Sequence, residues 1–399
     1  MVHRETDVPL FPITVLVGPN NGGKSALFDA LVNFSMVSRG SVSQAFGPGP
    51  YSYAARRYHG AGPAARVSFD VVLAEGADSE SALRYRISYA QIGGEEGKYV
   101  IFDERIEDTD SDAVIFDRSS PDSYPMGKSA SYLFDDRSIL AAVRRAQLAG
   151  EYEESHPLVT MCAREISRLS KFRLDPANLA RPSTIPEITV EEVQGSRAPR
   201  LDYHGELLPS VLYYLSETED PALSEIVARI RSVLTGFEGF EFNTVQTDRI
   251  GFSVKFADSR GAVPAANLSH GTLSLIGMMV LLLSPDRPPL LCLEEPENGL
   301  TPRATRAVYE AIRDLALKED PSGRSQILLS SHSPFVICAA WNGEERDFIY
   351  QVKVENGSAL IRAFAEIVKH QEIQLRMEKG ERKGLGLEVA DQVMEGYYS

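Results

Sequence analysis

Gly18-Pro19-Asn20-Asn21-Gly22-Gly23-Lys24-Ser25 stands between the apolar run 13–17 and the run Ala26-Leu27-Phe28-Asp29-Ala30-Leu31. This order predicts a strand, a glycine-rich loop and a helix. The backbone N–H groups of such a loop surround an anion, and the helix N-terminus adds partial positive charge. Lys24 can reach the β- and γ-phosphates of a nucleotide, and the hydroxyl of Ser25 can hold Mg²⁺. We therefore interpret Gly18 through Ser25, with Ala26, as a P-loop that binds a nucleoside triphosphate.

The composition is typical of a soluble globular protein. The chain has 399 residues, of which 43% are hydrophobic and 24% are charged, which is enough for a large core. The net charge of −15 argues against a surface that binds nucleic acid or anionic membrane throughout. Cys162, Cys292 and Cys338 are far apart and odd in number, so they indicate neither a disulfide framework nor a zinc site. No apolar run is long enough to span a bilayer, and we expect a cytoplasmic protein with no membrane contact.

The spacing of apolar residues changes along the chain. After a long loop at 40–62, alternation predicts an antiparallel sheet with strands at 66–73, 83–92, 98–106 and 113–116. Helical spacing follows at 135–148, 158–171, 207–215 and 222–234. A hairpin is then expected at 240–256, turning near Asp248. These segments predict an α/β nucleotide lobe that carries an antiparallel β subdomain and a helical insertion.

Basic residues are frequent in the first part of that insertion: Arg137, Arg144, Arg145, Arg164, Arg168, Lys171 and Arg173. Acidic residues are interleaved with them, among them Asp135, Asp136 and Glu165. Mixed charges of this kind favour a solvated helix face over a nucleic-acid patch. DNA stays a candidate partner, to be bound through its backbone phosphates in a salt-sensitive way.

The apolar run 290–293 ends in two carboxylates, Glu294 and Glu295. Glu294 is placed to bind Mg²⁺, and Glu295 to orient and deprotonate an attacking water. Because a parallel P-loop sheet brings the carboxyl ends of its strands to one edge, we expect both acids near Lys24.

Two further segments predict phosphate contacts. Ser269 and Gly271 precede a long apolar helix at 273–283, and a hydroxyl with free N–H groups at a helix start favours an anion. His332 follows a third apolar strand, 326–331, which directs it to the edge of the sheet where the phosphates are expected.

The order of these motifs resembles that of the ABC-type ATPases, in particular the RecF-like, SMC-related group. The resemblance rests on the P-loop, Leu268-Ser269-His270-Gly271-Thr272, Leu293-Glu294-Glu295-Pro296-Glu297-Asn298-Gly299-Leu300-Thr301-Pro302 and Ser330-Ser331-His332-Ser333-Pro334. That group includes ATPase subunits of bacterial anti-phage systems such as Septu, Gabija and PARIS. The segments 172–176 and 205–209 also look like its linking segments, so the resemblance covers most of the chain.

The resemblance implies ATP and Mg²⁺ as cofactors and a role for each motif. Gly18–Ser25 would be the Walker A loop, 268–272 the signature, Glu294 the Walker B acid, Glu295 the catalytic glutamate, 298–300 the D-loop and His332 the switch histidine. In that family two ATP molecules lie between two protomers, so Ser269 would meet the γ-phosphate bound by the partner. Glu294 departs from the usual Asp by one methylene. His270 and Thr272 depart from the Gly and Gln of transporter ATPases.

The motifs and the resemblance imply four domains. They are 1–133, the N-terminal part of the ATPase lobe with the P-loop and β subdomain; 134–236, the helical insertion; 237–364, the C-terminal part of the lobe with the signature, Walker B and switch histidine; and 365–399, a helical tail.

Three functions fit the motifs. The first is a dimeric ATP-driven switch or motor of anti-phage defence or DNA repair that acts with a separate nuclease or toxin, as a homodimer or higher oligomer. The second is the nucleotide-binding subunit of a membrane transporter. The third is a combined ATPase and nuclease of the kind found in overcoming-lysogenization-defect enzymes. We favour the first, because the insertion between the P-loop and Ser269 is long for a transporter cassette and because the tail shows no run of paired acids for two-metal cleavage.

Overall fold

The computed structural model of the chain describes residues 7–46, 65–74, 82–93, 97–119, 135–150, 156–186, 198–318, 320, 323–342, 348–355, 358–364 and 366. The chain divides into two compact units. Unit 1 comprises Met1–Thr6, Ser25–Leu169 and Val354–Ala359, and unit 2 comprises Asp7–Lys24, Ser170–Lys353 and Leu360–Ser399. In the described part of the chain, no helix has both the length and the apolar character needed to cross a bilayer.

The helices and strands follow one another in mixed order. The strands are β1 Ile13–Val17, β2 Val67–Ala74, β3 Ala82–Ile92, β4 Lys98–Asp108, β5 Val114–Asp117, β6 Ser170–Phe172, β7 Ser183–Thr184, β8 Phe237–Gln246, β9 Arg249–Phe256, β10 Val263–Pro264, β11 Leu290–Glu294, β12 Gln326–Ser331, β13 Ile349–Glu355 and β14 Ser358–Ala363. The helices are α1 Lys24–Arg39, α2 Val42–Ala45, α3 Ile139–Leu148, α4 Pro157–Ile166, α5 Pro176–Leu179, α6 Leu208–Glu217, α7 Pro221–Val233, α8 His270–Leu283, α9 Pro302–Ala316 and α10 Pro334–Asn342.

A six-stranded sheet in the order β14-β13-β1-β12-β11-β6 forms the centre of unit 2. Strand β1 pairs in parallel with β12 and β13, and β11 pairs in parallel with β12 and β6. All five residues of β1 are buried, as expected for a parallel strand that is covered on both faces. The register sets Val17 opposite Ser331 and Glu294 opposite Ser330. The P-loop, the two acids and His332 therefore all follow strands that end at the same edge of the sheet.

Helix α8 forms much of the core of unit 2. Every residue from Leu273 to Leu283 is buried, which explains why the helix is apolar on all sides rather than along one stripe. It packs against α5, α6, α7 and α9. The hairpin of β8 and β9 lies beside this core, with Phe237, Phe252 and Val254 buried in it. The core fixes where α8 begins, and hence where Ser269 and Gly271 stand.

Unit 1 contains the antiparallel sheet β2-β3-β4-β5. Its core combines this sheet with residues of α1, α3 and α4, among them Phe34, Ile139 and Val159. A buried carboxylate, Glu104, lies inside, where it accepts hydrogen bonds from the hydroxyl of Tyr85 (2.6 Å) and the backbone of Ile139 (2.8 Å) and pairs with Arg118. Burial raises the pKa of Glu104. These bonds tie β3, β4 and the start of α3 together.

The structure corrects one predicted helix. We predicted a helix at 158–171, but α4 ends at Ile166, and Ser170–Phe172 form strand β6 at the edge of the main sheet. The pairing of Phe172 with Leu293 and of Lys171 with Cys292 overrides the helical spacing of the sequence. Lys171 is therefore not on a solvated helix face.

Other predicted elements lie close to their expected positions or outside the described residues. The hairpin turns between Gln246 and Arg249, as predicted. The described part of the loop at 40–62 contains the short helix α2. Residues 47–64 and, apart from residue 366, the tail helices expected from Ala365 onward lie outside the described residues. The four expected parts, with boundaries at 134, 237 and 365, stay predictions. The two compact units are divided at 6/7, 24/25, 169/170, 353/354 and 359/360.

Gly18→Ala should destabilise unit 2. Gly18 has a φ of 147°, and a Cβ there would lie 2.2 Å from the carbonyl oxygen of Val352 in β13. Since a backbone atom cannot move aside cheaply, we expect a loss of about 3 kcal/mol in the free energy of unfolding, measured by urea titration. Gly261→Ala is the control, because a Cβ at Gly261 meets nothing within 4 Å. Equal stability of the two variants would contradict this prediction.

Candidate nucleoside-triphosphate site

The loop between β1 and α1 is held by its own hydrogen bonds. The ammonium of Lys24 donates to the carbonyl oxygens of Gly18 (2.7 Å) and Pro19 (2.9 Å), and the N–H of Gly22 donates to Pro19 (3.1 Å). Asn21, with a φ of 63°, occupies the left-handed region, which Asn tolerates better than most residues. The loop thus has the compact curl of a P-loop, and Lys24 is only 7% exposed.

Lys24 lies within electrostatic reach of three carboxylates. Burial lowers the pKa of Lys24, and the negative charges of Glu295, Glu297 and Glu294 oppose that shift. Two of these acids are those predicted from the sequence, and Glu297 is an addition. The convergence of the P-loop lysine with the acids after β11 follows from the parallel pairing of β1, β12 and β11.

Glu294 is the last residue of β11 and is buried. Its Oε1 atom lies 3.1 Å from the ammonium of Lys171, and its Oε2 atom accepts a hydrogen bond of 3.0 Å from the hydroxyl of Tyr203. The ammonium also lies 5.4 Å from the centre of the Tyr203 ring. Neither Lys171 nor Tyr203 was predicted as a site residue from the sequence. Lys171 lies in a stretch whose apolar spacing is that of a helix, so the pattern did not indicate a strand residue beside Glu294.

Glu295 and His332 meet beside this strand end. Glu295 has a φ of 46°, and its N–H donates to the carbonyl oxygen of Ser330 (3.0 Å). Its Oε1 atom lies 3.3 Å from Nδ1 of His332, and its Oε2 atom lies 3.9 Å from the guanidinium of Arg173. Glu295 is more exposed than Glu294, and the left-handed backbone turns it away from the strand direction. A partly exposed carboxylate in contact with a histidine has the geometry of a general base.

Glu297 connects the loop after β11 to the end of β12. Its Oε1 atom accepts a hydrogen bond of 2.6 Å from the hydroxyl of Ser331, and that hydroxyl oxygen accepts one of 3.0 Å from the N–H of Ser333. His332 lies between these two serines in the chain. The Oε2 atom of Glu297 is buried and has no hydrogen-bond partner among the described residues. Glu297 therefore fixes the turn that carries His332.

Glu297→Gln should flatten the pH dependence of stability. Burial raises the pKa of Glu297 above its ordinary value of 4.5. The folded chain then holds this proton more tightly than the unfolded chain, so the stabilisation is fully present below about pH 4.5 and is lost as the pH rises through the raised folded pKa. Across that window the parent should lose up to about 1.4 kcal/mol per pH unit relative to Glu297→Gln.

Chemical denaturation of parent and variant at a series of pH values measures this difference. Glu310→Gln is the control, because Glu310 is exposed on α9 and its neighbour Arg306 is exposed as well. Glu104 titrates in parent and variants alike and therefore cancels in the comparison. Parallel profiles for the parent and Glu297→Gln would contradict the prediction.

Ser269 and Gly271 stand at the start of α8. Ser269 is exposed and caps the helix, accepting a hydrogen bond from the N–H of Thr272 (3.1 Å). A Cβ at Gly271 would lie 2.7 Å from the carbonyl oxygen of Gly299, so the start of α8 packs closely on the loop after β11. Among the described contacts, none joins Ser269 to Lys24 or Glu295. The structure thus brings together Lys24, Glu294, Glu295 and His332, and it leaves Ser269 exposed.

The residues at this site suit Mg²⁺ held together with a nucleotide. Among the described residues, no group of three or more His, Cys, Asp and Glu side chains could hold a metal ion by itself. Mg²⁺ is usually bound by one or two protein oxygens and by the phosphates of the substrate. Glu294, the last residue of β11, supplies a carboxylate that fits the ion. Ser25 as a second ligand stays a prediction from the sequence.

Comparison with known proteins supports this reading of the fold. Residues 196–338 match the family model described as "AAA domain, putative AbiEii toxin, Type IV TA system", a stretch that includes Ser269, Glu294, Glu295 and His332. No curated protein matches the chain.

Several solved structures are similar to the chain. The SMC head bound to the C-winged helix domain of ScpA is 13% identical, with a TM-score of 0.50 over 90% of this chain and 93% of that chain. The SMC head domain from Thermotoga maritima is 13% identical, with a TM-score of 0.41 over 89% and 92% of the two chains. An SMC head with an extended coiled coil, bound to the C-terminal domain of ScpA derived from Pyrococcus furiosus, is 11% identical, with a TM-score of 0.44 over 92% and 94%. The first likeness shows that the chain has the fold of an SMC head, which confirms the predicted fold class.

Proposed function

We propose that this chain is an ABC-type ATPase that binds and hydrolyses ATP as a dimeric switch, in a bacterial complex with a separate effector such as a nuclease or toxin. The observation that carries the proposal is the convergence on Lys24 of the carboxylates that follow β11, together with the contact between Glu295 and His332. A site with this charge pattern favours a triphosphate, because Lys24 meets the phosphates while the acids meet metal and water.

Each residue has a separate task in this scheme. Lys24 and the loop N–H groups bind the β- and γ-phosphates. Ser25 and Glu294 would hold Mg²⁺, which neutralises negative charge on the phosphates when bound. Glu295 accepts a proton from the attacking water, and His332 orients Glu295 through the 3.3 Å contact. Glu297 keeps the turn of His332 in place through Ser331.

Dimerisation explains the exposed position of Ser269. Ser269 is exposed and caps the N-terminus of α8, whose residues from Leu273 to Leu283 are buried. It suits the γ-phosphate of an ATP bound by a second copy of the chain, as the resemblance to ABC-type ATPases implies. Closure around two ATP molecules and reopening after hydrolysis would then give the switch its two states.

The biological role is proposed as defence against phage, with DNA repair as the alternative. The description of the matching family names a toxin of a toxin–antitoxin system, which favours defence. Direct contact with DNA, if present, would involve backbone phosphates.

Experiments on the purified chain test whether it binds and hydrolyses ATP. We expect calorimetry to detect ATP binding in the presence of Mg²⁺, and a phosphate-release assay to detect hydrolysis. Failure to bind ATP would overturn the proposal.

A plaque assay tests the proposed role in defence. Plaque counts on cells that carry this chain with its neighbouring reading frames should fall relative to cells that carry the Lys24→Ala variant. Equal counts would contradict a role in defence.

A further inference from the structure

Both oxygen atoms of the Glu294 carboxylate face donors from within unit 2. Lys171 is opposite Cys292 in the parallel pairing of β6 and β11, and Glu294 is two residues beyond Cys292. Residues two apart on a strand point to the same face, so Lys171 and Glu294 share one face of the sheet. The ammonium lies 3.1 Å from Oε1, and the hydroxyl of Tyr203 lies 3.0 Å from Oε2.

The pair is shielded from water. The side chains of Lys171 and Glu294 are 10% and 5% exposed. A buried carboxylate and ammonium at this distance attract each other strongly, because little solvent screens them, and separating them leaves an uncompensated charge. The ring of Tyr203 adds a favourable contact to the same ammonium.

We propose that Lys171 is a built-in competitor of Mg²⁺ for Glu294, and that Tyr203 supports it by occupying the second carboxylate oxygen. This inference rests on the proposed function, in which Glu294 is a metal ligand. A metal ion at Glu294 would share this carboxylate with an ammonium 3.1 Å from Oε1, and the two positive charges would repel each other in a site that little water screens. Lys171 therefore raises the Mg²⁺ concentration that the site needs, and it stabilises Glu294 when no metal ion is bound.

The extra methylene of Glu294 fits this arrangement. An aspartate at the end of β11 would place its carboxylate one bond closer to the backbone, and farther from an ammonium that reaches across from the neighbouring strand. The glutamate in place of the usual Walker B aspartate and the lysine on β6 thus form one ion pair that competes with metal binding.

A Mg²⁺ titration of nucleotide binding tests the competition. The probe is a fluorescent, non-hydrolysable ATP analogue, and the readout is the Mg²⁺ concentration at half-saturation. We expect about a tenfold lower value for Lys171→Met and Lys171→Gln, which remove the charge, and a value near that of the parent for Lys171→Arg, which keeps it. Lys255→Met is the matched control, because Lys255 is an exposed lysine on β9 of the same unit. An unchanged or higher value for the two neutral variants would overturn the proposal.

A milder substitution, at Tyr203, keeps the proposal testable if the variants of Lys171 do not fold. Tyr203→Phe keeps the ring and the charge of Lys171 but frees Oε2, so its half-saturation value should fall by about threefold. If the neutral variants of Lys171 do not fold, a parent-like value for Tyr203→Phe overturns the inference. If the parent binds no nucleotide at any Mg²⁺ concentration, the proposed function fails instead; binding without a shift refutes only the role of Lys171.

Discussion

Lys24→Ala is expected to weaken ATP binding by at least about a thousandfold, which corresponds to about 4 kcal/mol. Lys24 is the buried cation of the loop, and its ammonium already lies 2.7 Å and 2.9 Å from two loop carbonyl oxygens. Its removal would take away one of the positive charges near Glu294, Glu295 and Glu297. A triphosphate would then meet three carboxylates without the lysine that offsets them, and repulsion adds to the lost attraction. Calorimetric titration with ATP and Mg²⁺ measures the loss.

The control must separate binding from folding. Lys255→Ala removes an exposed lysine from the same unit and should bind ATP as the parent does. Lys24→Ala should also unfold cooperatively in a denaturant titration, since the rest of the loop keeps its turn through the bond from Gly22 to Pro19. A folded Lys24→Ala variant that binds ATP within tenfold of the parent would show that the loop is not the nucleotide site.

The sequence was most informative where local signals and the final pairing agree. The apolar runs of β1, β11 and β12 are short, end in polar residues and become neighbours in one parallel sheet. Because that topology brings strand ends to one edge, Lys24, Glu294, Glu295 and His332 could be predicted to lie together from the sequence alone. The hairpin of β8 and β9 was readable for a similar reason, because alternation and a turn signal coincide.

The features that could not be predicted from the sequence depend on contacts between residues that are far apart in the chain. Strand β6 has three residues, and its sequence continues the helical spacing of α4, so only its pairing with β11 makes it a strand. Lys171 and Tyr203 therefore could not be linked to Glu294 from the pattern. The burial of Glu297 is also a tertiary effect, since its partner Ser331 is 34 residues away. Charged residues of this kind look like solvated ones until the packing around them is known.

Glu295→Gln is expected to lower the rate of ATP hydrolysis by about a thousandfold while ATP binding stays near the parent level. Glutamine keeps the shape of the side chain, and its carbonyl can still face Nδ1 of His332, but it cannot accept a proton from water. ATP should therefore persist in the site, and with it the closed state that two copies form around two ATP molecules. Light scattering after size-exclusion chromatography should show a dimer with ATP and Mg²⁺ in this variant, and less of it in the parent.

Glu297→Gln supplies the decisive comparison, because Glu297 is also an acid near Lys24 but is assigned a positioning role. Its carboxylate is buried against Ser331 and its pKa is raised by burial, whereas Glu295 is the more exposed and contacts His332. A positioning role for Glu297 predicts a smaller loss, about tenfold, because the turn of His332 loosens while the base remains. Hydrolysis at the parent rate by Glu295→Gln, with a large loss in Glu297→Gln, would assign the base to Glu297. The 3.3 Å contact with His332 argues for Glu295, since a base in contact with a neighbouring side chain is held in one orientation for water attack.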